Sequence, residues 1–136
     1  TVVLAIPEHC KYEPIEKVLF ITEYKPEERA SFLKAMDFAK TFQAHIDCLH
    51  VEPTHHQVNN DFINDWNEMI KDKDILSHSI KGDDVEGIIL YFIDLHKINL
   101  IAMHVKHRSF FEKLFKISLS KKLAFHINVP ILAIHE

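Results

Sequence analysis

Eleven histidines in 136 residues make metal or proton chemistry the first possibility to weigh. The best-spaced are His104-x-x-His107 and the adjacent pair His55-His56. A pair one turn apart supplies two ligands, whereas a closed zinc site needs four and a catalytic one three. Glu23, at the end of an earlier strand, is the candidate third ligand for His104 and His107. Nothing in the sequence fixes the remaining ligands, so solvated or locally hydrogen-bonded histidines are the preferred reading.

A second concentration of chemistry follows directly. Between Lys106 and Lys122 stand six basic residues, Lys106, Arg108, Lys113, Lys116, Lys121 and Lys122, against one acidic, Glu112. Lys106, Arg108 and Ser118 are candidates for holding an anion through their side chains. The plainer reading is the solvated face of an amphipathic helix, since Phe111, Phe115, Leu119, Leu123 and Ile127 recur every four residues. A helical serine such as Ser118 or Ser120 more often bonds its own backbone. No GxSxG, HExxH or paired-cysteine motif is present, so no catalytic residue is assigned. Asp83 and Asp84 stand at a helix start, where acids are favoured in any case.

The elements that must position these residues are short apolar runs alternating with helical stripes. Val18–Ile21, Leu100–Met103 and Val129–Ile134 are unbroken apolar runs, which predict strands buried on both faces. Ile46–Val51 and Ile75–Ile80 alternate with polar residues, the second in the manner of an edge strand. Pro26 with Glu27 and Glu28 predicts a helix start, followed by a stripe of Phe32, Met36, Ala39 and Phe42. Thr54-His55-His56-Gln57 fits a capping box before Val58, Phe62, Trp66 and Met69. Gly82-Asp83-Asp84 turns into a helix with Val85, Ile88, Ile89 and Phe92 inward. Strands alternating with helices predict an α/β domain with a parallel sheet, and ligands of such folds sit beyond the C-terminal strand ends. His104–Ser118 falls at that place.

Composition narrows the function classes. A chain 47% apolar suits one α/β domain with a true core. A net charge of −4 argues against a general nucleic-acid surface. No apolar run is long enough for a membrane span, and Val2–Ile6 lacks the basic flank of a signal peptide. Cys10 and Cys48 make no disulfide framework, which fits a reducing cytoplasm, and Cys48 reads as a small core residue.

The last third of the chain resembles the universal stress protein (UspA) family. That family's fourth strand leads into a loop with two glycines three apart, a third ten residues on, and then Ser or Thr. Laid on this sequence, the glycine positions fall on His104, His107 and Ile117, and the hydroxyl position on Ser118. Met103, Arg108-Ser109, His126 and Pro130-Ile131-Leu132 match the surroundings. The resemblance implies a doubly wound five-stranded parallel sheet, order 3-2-1-4-5, of the adenine-nucleotide-alpha-hydrolase-like type, with an extra N-terminal strand. It places Glu23-Tyr24-Lys25 where the family has a small turn touching nucleotide. Glycine serves phosphate loops by reaching positive φ and letting backbone N–H groups approach the anion. With all three replaced, the expectation is a regulatory or interaction module that does not bind ATP by that loop and carries no cofactor. The alternatives are an ATP-binding domain with a rewired loop, and a metal or anion sensor built on His104 and His107.

Val3-Leu4-Ala5-Ile6-Pro7-Glu8 echoes Ile131-Leu132-Ala133-Ile134-His135-Glu136. Residues 1–8 are therefore read as the last strand of a preceding domain, 9–16 as a linker, and 17–136 as the stress-type domain. The family pairs through its final strand, which here is Val129, Ile131, Leu132, Ala133 and Ile134. A homodimer or pseudo-dimer through that edge is expected, with Val2–Ile6 antiparallel to it.

Overall fold

The computed structural model describes residues 2–7, 10, 13–55, 59–105 and 128–135. Six strands form one sheet: β1 (Val2–Ala5), β2 (Lys17–Ile21), β3 (His45–Glu52), β4 (Ser77–Lys81), β5 (Leu100–His104) and β6 (Ile131–Ile134). Three α-helices are described, α1 (Arg29–Thr41), α2 (Asn60–Ile70) and α3 (Val85–His96), with a single 3-10 turn at Pro26–Glu28 leading into α1. The sheet order is β1-β6-β5-β2-β3-β4. All neighbours from β4 to β6 pair in parallel, and β1 alone is antiparallel.

The order explains the sequence pattern. β2 is flanked by β3 and β5 and covered on both faces, so Val18, Leu19 and Phe20 are all buried and no polar alternation survives. β4 is an edge, and its Ser77 and Ser79 reach partial or full exposure. The chain steps from β2 to β3 to β4 in one direction, so right-handed crossovers put α1 and α2 on one face. The return from β4 to β5 reverses direction and puts α3 on the other.

Two core layers result. Val18, Phe20, Cys48, Leu100, Ala102, Leu132 and Ile134 face Phe32 and Ala35 of α1 and Trp66 and Ile70 of α2. Trp66 is the hub of this layer, 5.1 Å from the Phe32 ring and stacked 6.1 Å from Phe20. On the other face Leu19, Leu49, Ile101 and Ile131 meet Ile89 and Phe92 of α3. Cys48 is fully buried, as expected of a small core residue.

Several boundaries differ from expectation, each for a local reason. α2 starts at Asn60, not behind Thr54: the Asn59 side chain accepts from the Asp61 N–H at 2.8 Å. The Thr54 hydroxyl and N–H are instead committed to Asp83, which these bonds hold below the ordinary aspartate range. The neighbouring Asp84 caps α3 by accepting from the Gly87 N–H. β4 begins two residues late because the Leu76 N–H is taken by the Asp47 carboxylate.

Val2–Ala5 lies against β6 in antiparallel register, Val2 opposite Ile134 and Ala5 opposite Ile131. Both edges of β6 are therefore occupied, by β5 and by the chain's own β1. Among the described residues, no helix is long and apolar enough to cross a membrane.

Candidate functional site

β2 and β5 are adjacent, yet the chain leaves β2 toward β3 on one side and reaches β5 from the other. Their C-terminal ends thus frame the crevice where doubly wound sheets take ligands. The residues there are Thr22 to Lys25 after β2, the start of α1, and His104 at the tip of β5.

The turn after β2 is organised by a buried carboxylate. Pro26 fixes a tight turn that brings Glu28 back beneath the preceding residues. Glu28 Oε2 accepts from the Thr22 hydroxyl at 2.9 Å, the Glu23 N–H at 3.0 Å and the Lys25 N–H at 2.9 Å. Burial raises the Glu28 carboxyl above its ordinary value, with these bonds opposing. The ends of the strand and the helix are so tied by one side chain.

Tyr24 takes a left-handed backbone conformation, φ 63°, which a bulky residue adopts only when its surroundings hold it there. Its N–H donates to Thr22 Oγ1 at 2.9 Å, and its hydroxyl lies 2.8 Å from Ser77 Oγ on β4. The ring is 4% exposed, 5.0 Å from the His50 ring and 5.7 Å from Trp66. His50, at 3% exposure, meets the Thr22 carbonyl through Nδ1 at 2.8 Å. A carbonyl only accepts, so Nδ1 is the donor in this contact. Nε2 of the same ring is buried without a hydrogen-bond partner among the described residues.

On the β5 side, His104 continues the inward row of Leu100 and Ala102, toward α1. Its Nδ1 is 2.6 Å from the hydroxyl of Ser31, a fully buried residue of α1. The Glu23 carboxylate lies 2.8 Å from the Lys25 ammonium. Among the described residues Glu23 is paired with Lys25 and His104 with Ser31. His107, Ile117, Ser118, Lys106 and Arg108 lie outside the described residues.

No family model matches the chain, and no curated protein matches it. Solved structures do. Universal stress protein UspA from Lactobacillus plantarum shares 14% identity at a TM-score of 0.60, covering 91% of this chain and 99% of that one. A universal stress protein solved in complex with cAMP shares 14% identity at a TM-score of 0.64, covering 90% and 98%. The fold is that of the universal stress proteins. At this identity the likeness carries the fold, and the crevice chemistry rests on the residues themselves.

Within the universal-stress fold, His104 is the last residue of β5, and the edge residues Val129, Ile131, Leu132, Ala133 and Ile134 are all buried. Among the described residues no group of three or more His, Cys, Asp or Glu side chains is arranged to hold a metal ion. His45 and His78 do meet a carboxylate, that of Asp47, but near the opposite ends of the strands. The sequence reading passed over Thr22, Glu28, Ser31 and His50. For Glu28 a signal existed: proline followed two residues later by an acid is the first turn of a capping pattern. For Ser31 and His50 there was none, because their partners are remote in sequence.

Proposed function

We propose that the chain is a universal-stress-type regulatory or interaction module of a stress response, which does not bind ATP through a glycine loop. The observation that carries this reading is the ring of His104, at the first glycine position, fastened to Ser31 at 2.6 Å. A glycine there leaves room for a phosphate to reach the backbone, whereas an imidazole anchored to α1 takes that room. Thermal unfolding with millimolar Mg-ATP tests it. Ligand at a hundredfold over Kd stabilises by about 2.7 kcal/mol, a shift of several degrees. The melting temperature is expected to stay where it is.

A second reading is favoured by one finding, that a structural neighbour is described as complexed with cAMP. In it an adenine nucleotide binds a rewired loop, with Lys106, Arg108 and Ser118 replacing the lost backbone donors. A cAMP- or ATP-dependent stabilisation abolished by changing Lys106 and Arg108 to alanine establishes that reading over the first. In the first reading, β1 against β6 stands in for the strand pairing that joins two such domains, with Val2–Ile6 as the closing strand of a preceding one.

A further inference from the structure

We propose that His45, Asp47 and His78, at the N-terminal ends of β3 and β4, form a binding site for a late first-row divalent cation of the Zn²⁺ class, with water completing the shell. The site lies at the opposite end of the strands from His104 and stands independently of whether the crevice there takes a nucleotide.

The strands bring the three donors together. Within β3 the sequence reads His45-Ile46-Asp47, and a period of two puts both polar residues on the face that carries Leu49 toward α3. On the adjacent strand His78 is the parallel partner of Leu49, and its ring packs 4.9 Å from Phe92 of α3, so it shares that face. Asp47 therefore stands between two imidazoles. His45 Nε2 is 2.8 Å from its Oδ1, and His78 Nε2 is 4.0 Å from its Oδ2. At the longer distance His78 makes no hydrogen bond, so hydrogen bonding does not account for the second imidazole. Donors bound to one tetrahedral ion at roughly 2.0–2.1 Å stand about 3.4 Å apart, between the two observed separations. Among the described residues no three donors yet converge on one point. Convergence takes a shift of about 0.6 Å on each side, outward for His45 and inward for His78, which side-chain torsions absorb. The carboxylate is already oriented, because Oδ1 also accepts the Leu76 N–H at 2.9 Å, and outer bonds of this kind position metal ligands. Phe92, itself stacked 4.1 Å from His96, backs the His78 ring. Two imidazoles and one carboxylate match the donor set of zinc sites with an open position, whereas Mg²⁺ and Ca²⁺ take oxygen donors. Side-chain exposures of 42% for His45 and 29% for His78 give the ion a way in. Each imidazole binds through its Nε2 lone pair and carries its proton on Nδ1.

The test is isothermal titration of Zn²⁺ into chelator-treated protein, with Mg²⁺ as the control ion. A first equivalent of one Zn²⁺ per chain is expected, half-saturated at micromolar concentration, with no saturable heat from Mg²⁺. His45→Gln and His78→Gln are each expected to weaken that first equivalent at least tenfold, and the double variant to lose it. His107→Gln, which removes one of the other spaced histidines, is expected to leave it unchanged. If His78→Gln does not fold because its ring packs on Phe92, His45→Gln decides alone, since that side chain is the most exposed of the three. No uptake of Zn²⁺ by the wild type overturns the proposal. So does a first equivalent whose affinity is the same in His45→Gln as in the wild type.

Discussion

Oγ of Ser31 lies 2.6 Å from Nδ1 of His104. This contact joins the first helix to the tip of β5 across the point where the sheet reverses its winding. Ser31 is fully buried and His104 half-buried, so breaking the pair leaves a polar group without its partner. Ser31→Ala is expected to lower unfolding stability by about 1–2 kcal/mol, read as a lower urea midpoint at unchanged slope. An unmoved midpoint would show that the contact holds nothing.

Glu28 gives the fold a pH dependence whose direction follows from its environment. Burial raises its carboxyl above the ordinary glutamate value, so the folded protein holds that proton more tightly than the unfolded chain. The stability it contributes is fully present below the ordinary value and is lost as pH rises through the raised folded value. Glu28→Gln is expected to remove this decline, so unfolding free energies of wild type and variant measured from pH 4 to 7 should run non-parallel. Glu28→Ala, which strands the donors of Thr22, Glu23 and Lys25, is expected to cost about 2–4 kcal/mol. Parallel pH curves would refute the assignment.

Cys48 is predicted to be chemically silent in the native state. Burial pushes its thiol up to about 12, so at pH 8 only about one molecule in ten thousand carries the thiolate that alkylating reagents need. Mass-spectrometric mapping should find Cys48 modified by iodoacetamide only at the rate of global unfolding, accelerating with urea. Modification in native buffer at the rate of a free thiol would contradict the packing described.

How much of this was legible in the sequence depends on the range of the interaction. Val18–Ile21 and Leu100–Met103 announced central strands because burial on both faces removes polar alternation. The echo of Val3–Ile6 in Ile131–Ile134 foreshadowed the pairing of β1 with β6, which the register bears out. Thr54 misled because its hydroxyl bonds Asp83 across a loop, a contact that local patterning does not encode. Asp47 and His50 were read as a polar alternation in β3, but an odd spacing puts them on opposite faces. His50 is instead a core residue held by the Thr22 carbonyl. Ser31 and His104 meet only because the winding of the sheet brings α1 beside β5.

The β1 segment is the element whose removal should most change behaviour in solution. It covers β6 on its open side while exposing Val2, Val3, Leu4 and Ile6, each 42–67% accessible. Deleting residues 1–7 leaves a bare apolar edge at Ile131–Ile134, and unpaired edges of that kind seek other strands. Light scattering is expected to show dimers or aggregates of the truncated protein. An unchanged mass distribution and solubility would mean that β1 does not guard the edge.

The central claim is that the His104 ring, fastened to Ser31 at the tip of β5, takes room a nucleotide phosphate would need. Equilibrium dialysis of the purified protein against radiolabelled ATP with Mg²⁺, up to millimolar concentration, tests it most directly. The account predicts equal label on both sides of the membrane, at every protein concentration. Saturable retention near one ATP per chain, reduced when Lys106 and Arg108 are changed to alanine, would contradict it.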